Sequence, residues 1–391
     1  MTSYAAVPVL PASYTYSDLE VIPVPYLRAS VSAAAQLLSA PPAFLGYQQA
    51  TTQSVPDATF TGISLDTEAW DSVNGHDGAA NPSRYWNQFA GYYLAQFSCG
   101  IDYTGGAGIA AAAIGFSPMN GSVTWYGGGC IPNGVSSGHY ATPQACKLLE
   151  MTSPGPLGGA GVDYALGGLY QSSGAAQDTW YDVAAGQYPQ FGITWVSALA
   201  GTTGLAVPAN PAWPVPPDYI TSSFMNTNVT DAIAFLVYPP VMEATYTTGT
   251  ATCASVTSLP TVGTTVPLNS ATYDTWSAFS TSTHTWTAPV AGVYFCYGQA
   301  ALTGLSTSES MAAGLTVTSS NYNGGTQTTL WQGVTDMNPG SSSVATVARR
   351  LRLNAGDTVL LAAAQRDSGS NAATLQAGEF ASRLITLWRS A

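Results

Sequence analysis

Short segments of alternating apolar and polar residues run along most of the chain, separated by Gly, Asn and Pro. This alternation, interrupted by frequent turn residues, is typical of the strands of a β-sandwich. Between residues 49 and 200 it predicts strands in TFTGISLD, GYYLAQFSCGI, AGIAAAAIGF, VDYALGGLY and FGITWVSA. Between residues 241 and 391 it predicts TTVPLNS, YDTWSAF, THTWTAP, GVYFCYGQAAL, AAGLTVTS, ATVARRLRL, DTVLLAAA and SRLITLWRS. About eight short strands in each region fit a jelly roll.

The two regions repeat each other. Asp163 precedes Gln171 by eight positions, and Asp357 precedes Gln365 by the same interval, with Ser-Gly close behind in both cases. Two further pairs keep this order, RYWNQFAGYYL with HTWTAPVAGVYF and FGITW with RLITLW. A repeat of this length indicates a duplicated domain and not a solenoid, whose period is far shorter.

A helix-period segment that ends in Pro-Pro precedes each copy. In the second, Met225, Val229, Ile233 and Leu236 share one face before Pro239-Pro240, and Pro disfavours helix at the residue before it. The predicted organisation is an extended arm (1–24), a short helix with a Pro-Pro linker (25–48), a first jelly roll with a Gly-rich insertion (49–200), a Pro-rich linker and helix (201–240) and a second jelly roll (241–391).

The composition narrows the class of protein. Charged residues make up 8% of the chain, the formal net charge is −12, and Lys147 is the single lysine. Because basic residues are few and form no stripe, nucleic-acid binding is not expected. A hydrophobic content of 46% with 11% aromatics argues against disorder. Neither a signal peptide nor an apolar run long enough to span a membrane is expected.

The cysteines show no metal-ligand spacing, and their number is odd. We predict reduced, buried thiols, with a Cys130–Cys146 disulfide in the Gly-rich insertion as the alternative. Ser136 lies in a GVSSG segment with the spacing of a nucleophile elbow, but the strand and helix that this motif requires are missing around it.

Other polar residues give no clear site. His76, His139 and His284 lie far apart in the sequence. A carboxylate group near one loop could bind Ca²⁺ but lacks a regular ligand spacing, so a solvated rim is favoured; its members are Asp66, Glu68, Asp71 and Asp77. We therefore predict no catalytic residue, no metal and no cofactor.

Three stretches of the second copy, PVAGVYF, RLRLNAGDTVLLAAAQ and RLITLWRS, resemble the globular head of complement and the tumour-necrosis-factor superfamily. The resemblance covers residues 255–391 well and 50–200 less well, because NQFAGYYL lacks the Pro and GAGVDYAL lacks the Gly-Asp turn. It implies an all-β fold of two tandem jelly rolls, each preceded by a short helix, with the last strand beside a threefold axis.

The order of helix, Pro-Pro and β-domain also resembles minor tail and tail-fibre proteins of tailed phages that infect actinobacteria. This resemblance implies a structural, non-enzymatic virion protein that forms a homotrimer of stacked jelly rolls. The arm (1–24) would anchor it to other virion proteins, and a host cell-envelope glycan is a further candidate partner. The alternatives are a capsid decoration or head-fibre protein and, least favoured, an envelope glycan-degrading enzyme.

Two sets of candidate contact residues follow from this interpretation. The expected trimer contacts are Met225, Val229, Ile233, Leu384, Leu387 and Trp388. The expected host contacts, on polar loops of an exposed tip, are Tyr322, Asn323, Arg366 and Asn371.

Overall fold

The computed structural model describes residues 37–38, 41–102, 109–131, 140–141, 143–182, 188–200, 229–257, 263–304, 310–336, 343–367, 369–378 and 381–390. The predicted arm, Met225, His139, Ser136 and most of the first predicted helix lie outside these residues. Helix α1, Asp231–Val237, is the second predicted helix. No helix among the described residues is long and apolar enough to cross a membrane.

The first jelly roll contains strands β1 to β15. They are β1 Ala43–Tyr47, β2 Ser54–Val55, β3 Thr61–Gly62, β4 Thr67–Asp71, β5 His76–Asp77, β6 Asn81–Trp86, β7 Gly91–Ser98, β8 Gly100–Asp102, β9 Ile109–Ser117, β10 Thr124–Ile131, β11 Tyr140–Ala141, β12 Gln144–Met151, β13 Tyr164–Ser172, β14 Gln177–Trp180 and β15 Gln190–Ser197. One sheet has the order β12-β7-β15-β1-β4, and the facing sheet has the order β10-β9-β13-β6-β5 with β3 beside β13. A small sheet, β11-β8-β14-β2, lies at one end.

The second jelly roll contains strands β16 to β28. They are β16 Val241–Thr245, β17 Thr252–Cys253, β18 Thr264–Thr265, β19 Ser270–Asp274, β20 Phe279–Ser280, β21 Thr285–Thr287, β22 Gly292–Thr303, β23 Ser310–Thr318, β24 Thr328–Asp336, β25 Ser343–Leu353, β26 Thr358–Arg366, β27 Ala373–Leu375 and β28 Arg383–Ser390. Its first sheet runs β17-β27-β22-β28-β16-β19 with β25 also on β22, and its second runs β20-β21-β26-β23-β24 with β18 on β26.

The strand order of the two sandwiches is the same. The series β12-β7-β15-β1-β4 in one sheet corresponds to β25-β22-β28-β16-β19 in the other copy. Within these two series, strands that are neighbours in space are not consecutive in sequence, as the Greek-key connections of a jelly roll require. The predicted all-β fold with two jelly rolls is confirmed.

Each Pro-Pro pair leads directly into the first strand of a jelly roll. Strand β16 begins at Val241, immediately after Pro239-Pro240, as predicted. Strand β1 begins at Ala43, immediately after Pro41-Pro42, and pairs with both β15 and β4. The first jelly roll therefore starts at Ala43, before the predicted boundary at residue 49.

The repeated glutamines hold the same position in both copies. The side-chain amide of Gln365 donates hydrogen bonds at 3.1 Å to the Cys253 carbonyl and at 2.8 Å to the Asn371 carbonyl. Gln171 makes the matching pair of bonds at 3.1 and 2.8 Å in the first jelly roll. Both glutamines are fully buried, and each joins the backbone of a short strand to the backbone of a nearby loop.

The repeated aspartates are also structural. The Asp163 carboxylate accepts backbone N–H bonds from Met119, Thr152 and Ser153, and Asp357 accepts bonds from a serine hydroxyl and a backbone N–H at its own turn. Asp357 thus bonds the backbone of its own turn, as Asp commonly does, whereas Asp163 joins the backbone of two other segments. Their recurrence therefore marks a shared fold and not a shared active site.

A Gly-Trp contact that occurs in both jelly rolls shows which residues of the two copies correspond. A Cβ atom on Gly91 would lie 2.1 Å from the indole nitrogen of Trp195, and one on Gly292 would lie 2.3 Å from that of Trp388. Each indole donates to the carbonyl of the alanine before that glycine, at 3.4 Å. Trp195 thus corresponds to Trp388. Matching ITW to ITLW from the isoleucine onward had instead aligned Trp195 with Leu387, so the alignment is shifted by one residue.

The two jelly rolls lie side by side. Near one end, the rings of Tyr92 and Tyr273 are 5.2 Å apart, and near the other end Ala111 packs with Ala301 and Val344. Equivalent ends of the two sandwiches are therefore neighbours. The expected stacked order is wrong, because lateral contacts between the sheets, and not contacts between their ends, join the domains.

Replacing Gln365 with Ala should leave the buried Cys253 carbonyl without this donor, whereas water can reach the carbonyl of the exposed Asn371. We expect the free energy of unfolding to fall by about 1–3 kcal/mol, which is the usual cost of one unsatisfied buried group. Urea unfolding monitored by tryptophan fluorescence measures the change. The exposed Gln144→Ala serves as the control and should stay within about 0.5 kcal/mol of the wild type.

Candidate functional site

A buried ion pair joins the two jelly rolls. The Lys147 ammonium, on β12, lies 2.7 Å from one oxygen of Glu243, on β16. The other carboxylate oxygen accepts the Leu148 backbone N–H at 3.2 Å. Both side chains are almost completely inaccessible to solvent. Burial lowers the pKa of Lys147, while the facing carboxylate opposes that shift.

Further polar contacts surround this pair. The Arg383 guanidinium lies 3.9 Å from the Glu243 carboxylate and donates at 3.0 Å to the Gly127 carbonyl of the first jelly roll. The Gln299 amide donates to the same carbonyl at 3.4 Å. Lys147 also lies 4.7 Å from the centre of the Tyr126 ring, in a cation–π contact. Charge and hydrogen bonding therefore fix how the two domains meet.

An apolar cluster encloses the ion pair. Its buried members are Cys146, Leu148 and Val196 from the first jelly roll and Val241, Tyr297, Ile385 and Leu387 from the second. A buried pair costs little only when its partners and surroundings are well ordered. The two jelly rolls are therefore joined by a buried ion pair and an apolar cluster.

An open cleft of about 370 Å³ lies beside the contact. The first jelly roll lines it with the amides of Gln96, Gln144 and Gln190 and the hydroxyl of Ser98. Gln144, Ser98 and Gln190 are ladder partners on three adjacent strands, so they form one row across the sheet. All three glutamines are exposed, and the row presents both hydrogen-bond donors and acceptors.

The second jelly roll provides an aromatic wall. Phe295 and Tyr297, on β22, line the cleft together with Ala348. Burial raises the pKa of Tyr297, and burial also raises the pKa of the neighbouring Cys146 to about 12, so both remain neutral near pH 7. No lining residue carries a charge. Amides beside aromatic rings suit an uncharged, hydroxyl-rich ligand.

The candidate catalytic and metal residues have structural partners. Asp66 accepts three backbone N–H bonds from residues 49–51, and Asp77 accepts two from residues 79–80. The imidazole Nδ1 of His76 lies 2.7 Å from the Glu68 carboxylate, and His284 Nδ1 lies 2.9 Å from a backbone carbonyl. Within the described part of the chain, no group of three such side chains could hold a metal ion.

Four cysteines are free and buried, as predicted: Cys99, Cys146, Cys253 and Cys296. Burial alone raises the pKa of the Cys99 and Cys296 thiols well above their ordinary value. These thiols are therefore protonated and unreactive near neutral pH.

The candidate trimer contacts fall in three places. Leu384 is fully buried in the core of the second jelly roll, and Leu387 is buried against the first jelly roll. Trp388 packs edge-on against Phe235 of helix α1 at 4.8 Å, and Ile233 packs against the first core. Val229 is half-buried just before the helix. Leu384 and Leu387 thus serve contacts within one chain, which the apolar pattern of β28 alone could not distinguish from contacts between chains.

The candidate host contacts do not converge on one surface. Tyr322 and Asn323 follow the end of β23, whereas Arg366 pairs with Ser310 at its beginning and Asn371 lies near Arg366. Nine residues of extended strand separate the ends by about 27 Å. The cleft residues were missed because only the pairing of β7, β12 and β15 places Gln96, Gln144 and Gln190 together.

Both domains are antiparallel β-sandwiches with the strand order of a jelly roll. Similar solved structures are the globular domain of a zebrafish complement 1qA protein (18% identity, TM-score 0.29, 39% of this chain and 99% of that one), murine APRIL (13%, 0.29, 38% and 98%) and Eiger TNF from S. frugiperda (16%, 0.27, 39% and 95%). No protein-family model and no curated protein matches the chain.

Replacing Lys147 with Met should leave Glu243 as a buried carboxylate without its nearest cation. We expect a loss of about 3–5 kcal/mol in the free energy of unfolding, and a partial recovery when Glu243→Gln is added. Thermal and urea unfolding of the single and double variants measure this coupling. Arg349→Met is the matched control, because Arg349 holds the equivalent position on β25 and should cost about 1 kcal/mol or less.

Proposed function

We propose that the chain is a structural, non-enzymatic virion protein of a tailed bacteriophage, of the minor tail or tail-fibre type, that binds a host-envelope glycan. The observation that carries this proposal is the uncharged cleft beside the contact between the two jelly rolls. Residues 1–24 anchor the protein to other virion proteins, and three copies associate. The order of helix, Pro-Pro and β-domain resembles that of actinobacteriophage appendage proteins. This resemblance supports the proposal that the chain belongs to a phage virion.

The chemistry of the cleft supports a neutral polysaccharide as the ligand. Gln96, Gln144 and Gln190 can donate to and accept from sugar hydroxyls, while the ring of Phe295 offers an apolar face to a pyranose or furanose ring. Glycoside hydrolysis uses a pair of carboxyl groups, and the lining contains none. Binding without cleavage is therefore the activity that this cleft favours.

A capsid decoration or head-fibre protein is the second candidate. The same jelly rolls would serve on either structure, and the position in the particle separates the two functions. Immunogold labelling of phage particles that carry this protein should mark the tail or its fibres. Labelling spread over the capsid surface would support the second candidate, and unlabelled particles would contradict both.

We expect the purified chain to form a homotrimer. Light scattering coupled to size-exclusion chromatography should give three times the chain mass of 40.3 kDa. A single species at the mass of one chain at micromolar concentration would contradict the trimer while leaving glycan binding open.

We expect purified actinobacterial arabinogalactan to bind the cleft, measured by isothermal titration calorimetry. Gln190→Ala should weaken binding by about tenfold, since a ligand-contacting hydrogen bond contributes about 1 kcal/mol or more. Added NaCl should change the affinity little, because the lining is uncharged. Arg366→Ala in the loop of the second jelly roll is the control. If it weakens binding and Gln190→Ala does not, the loop and not the cleft is the binding site.

A further inference from the structure

Three arginines of the second jelly roll have no partner for their charge. Within the part of the chain that the structure describes, the guanidinium groups of Arg350, Arg352 and Arg389 make no hydrogen bond, ion pair or ring contact, and all three side chains are exposed. The other basic side chains of this part have partners, namely Arg84, Lys147, Arg349, Arg366 and Arg383. Since the three free arginines neutralise no acid of this chain, their charge is available to a ligand.

Two of these arginines lie on the same sheet face as the cleft. Along β25, Leu351 and Leu353 point into the core of the second jelly roll, so Arg350 and Arg352 point away from it. Ala348 belongs to the same outward row and lines the cleft. Alternate residues of a strand are about 6.8 Å apart, so the two arginines continue the cleft wall along β25.

The third arginine reaches the same place from β28. Leu387 lies on the outer face of that strand and Trp388 packs on the core, so Arg389 returns to the outer face. It lies in the bulge where β28 pairs with the start of β22, beside Val293. Val293 is also the ladder partner of Arg352. Arg352 and Arg389 therefore flank β22 from its two sides, about 10 Å apart between their Cα atoms.

Phe295 connects the arginines to the cleft. Its ring lines the cleft, and on the ladder it is the partner of Arg350. Strands β22, β25 and β28 contain no acidic residue that could pair with the arginines. The planar guanidinium fork binds the two oxygens of a carboxylate or phosphate group through paired hydrogen bonds. A sugar ring on Phe295 would thus have a site for an oxyanion at its edge.

The surroundings favour a sparsely charged polymer over a continuous polyanion. The chain has a net charge of −12, which repels a ligand with a charge at every unit. Nucleic-acid binding typically depends on many phosphate contacts, whereas this patch offers three arginines next to an uncharged cleft. A polysaccharide that carries occasional anionic groups among neutral sugars matches both parts of the surface.

We infer that Arg350, Arg352 and Arg389 form a subsite for a phosphate or carboxylate group carried by the envelope polysaccharide whose neutral sugars occupy the cleft. The inference rests on the glycan binding proposed above and adds the charge of the ligand. Neutral sugars contact the amides and the aromatic ring, and the oxyanion is held beside them by the arginines.

The test compares arabinogalactan with the same polymer after partial carboxymethylation or phosphorylation, by isothermal titration calorimetry on the full chain. Both anionic forms should bind at least about tenfold more tightly than the neutral form, because each exposed ion pair contributes about two- to fivefold. Added NaCl should remove this advantage and leave the affinity for the neutral polymer unchanged. The two anionic forms show which oxyanion is preferred.

Variants locate the effect. The double variant Arg350→Gln/Arg352→Gln should lose most of the advantage of the anionic polymers, and Arg389→Gln should lower it about threefold. Both should bind the neutral polymer normally and keep their circular dichroism, because these side chains are exposed. Arg349→Gln is the matched control: it removes the same charge from the same strand, but Arg349 bonds Gln332, so the advantage should remain.

Several outcomes decide the inference. It fails, while the glycan proposal stands, if the wild type binds neutral and anionic polymers equally. It also fails if Arg349→Gln loses as much as the double variant, or if a DNA duplex binds as tightly as the phosphorylated polymer, because the effect is then one of general charge. Binding of the anionic polymers alone, lost in the double variant, would support the subsite and contradict the binding of neutral sugars. If no polymer binds, both fail.

Discussion

The buried pair of Lys147 and Glu243 is the interaction on which the arrangement of the two domains depends. Two homologous jelly rolls offer each other several similar apolar surfaces, so hydrophobic burial alone defines their relative position poorly. A lysine and a glutamate that are both withdrawn from water tolerate little displacement, because each would then lose its counter-charge in a medium that solvates it poorly. Arg383 and Gln299 add directional bonds to Gly127, and together these groups select one register.

The two jelly rolls share the contacts inside their sandwiches and differ in the residues on their outer faces. Tyr93 and Tyr294 both donate at 2.7 Å to the carbonyl four residues earlier, and the buried glutamines and Gly-Trp contacts match in the same way. The outer rows differ, since leucine stands where the other copy has glutamate or arginine. Packing inside a sandwich restricts changes strongly, whereas each outer face has taken the chemistry of what covers it.

The cleft follows from this asymmetry. The first jelly roll contacts the second through β12 and parts of β7 and β15, and another part of the same sheet face remains open beside the aromatic strand β22. The open part of the face is polar but uncharged, which agrees with a chain in which 8% of residues are charged. A rigid surface of amides and aromatic rings can bind a neutral polymer at little cost in conformational entropy.

The sequence by itself determined the strands, the duplication and the Pro-Pro junctions. Alternation reports which residues of one strand share a face, and proline restricts its neighbours locally, so both signals act over a few residues. It also identified Asp163, Asp357, Gln171 and Gln365 as equivalent pairs, although not what they bond.

Only the tertiary structure decided which sheet faces pack against each other. Lys147 is paired with a carboxylate 96 positions away, and no local pattern separates such a buried lysine from an exposed one. Leu387 looked like a contact between chains because an apolar residue on an outer face needs cover, and the sequence does not say whether the same chain provides it. The polar loops around Tyr322 and Arg366 looked alike in composition, but β23 holds them at opposite ends of one sandwich. These outcomes depend on long-range contacts, which are fixed by the packing of whole sheets and not by any single segment.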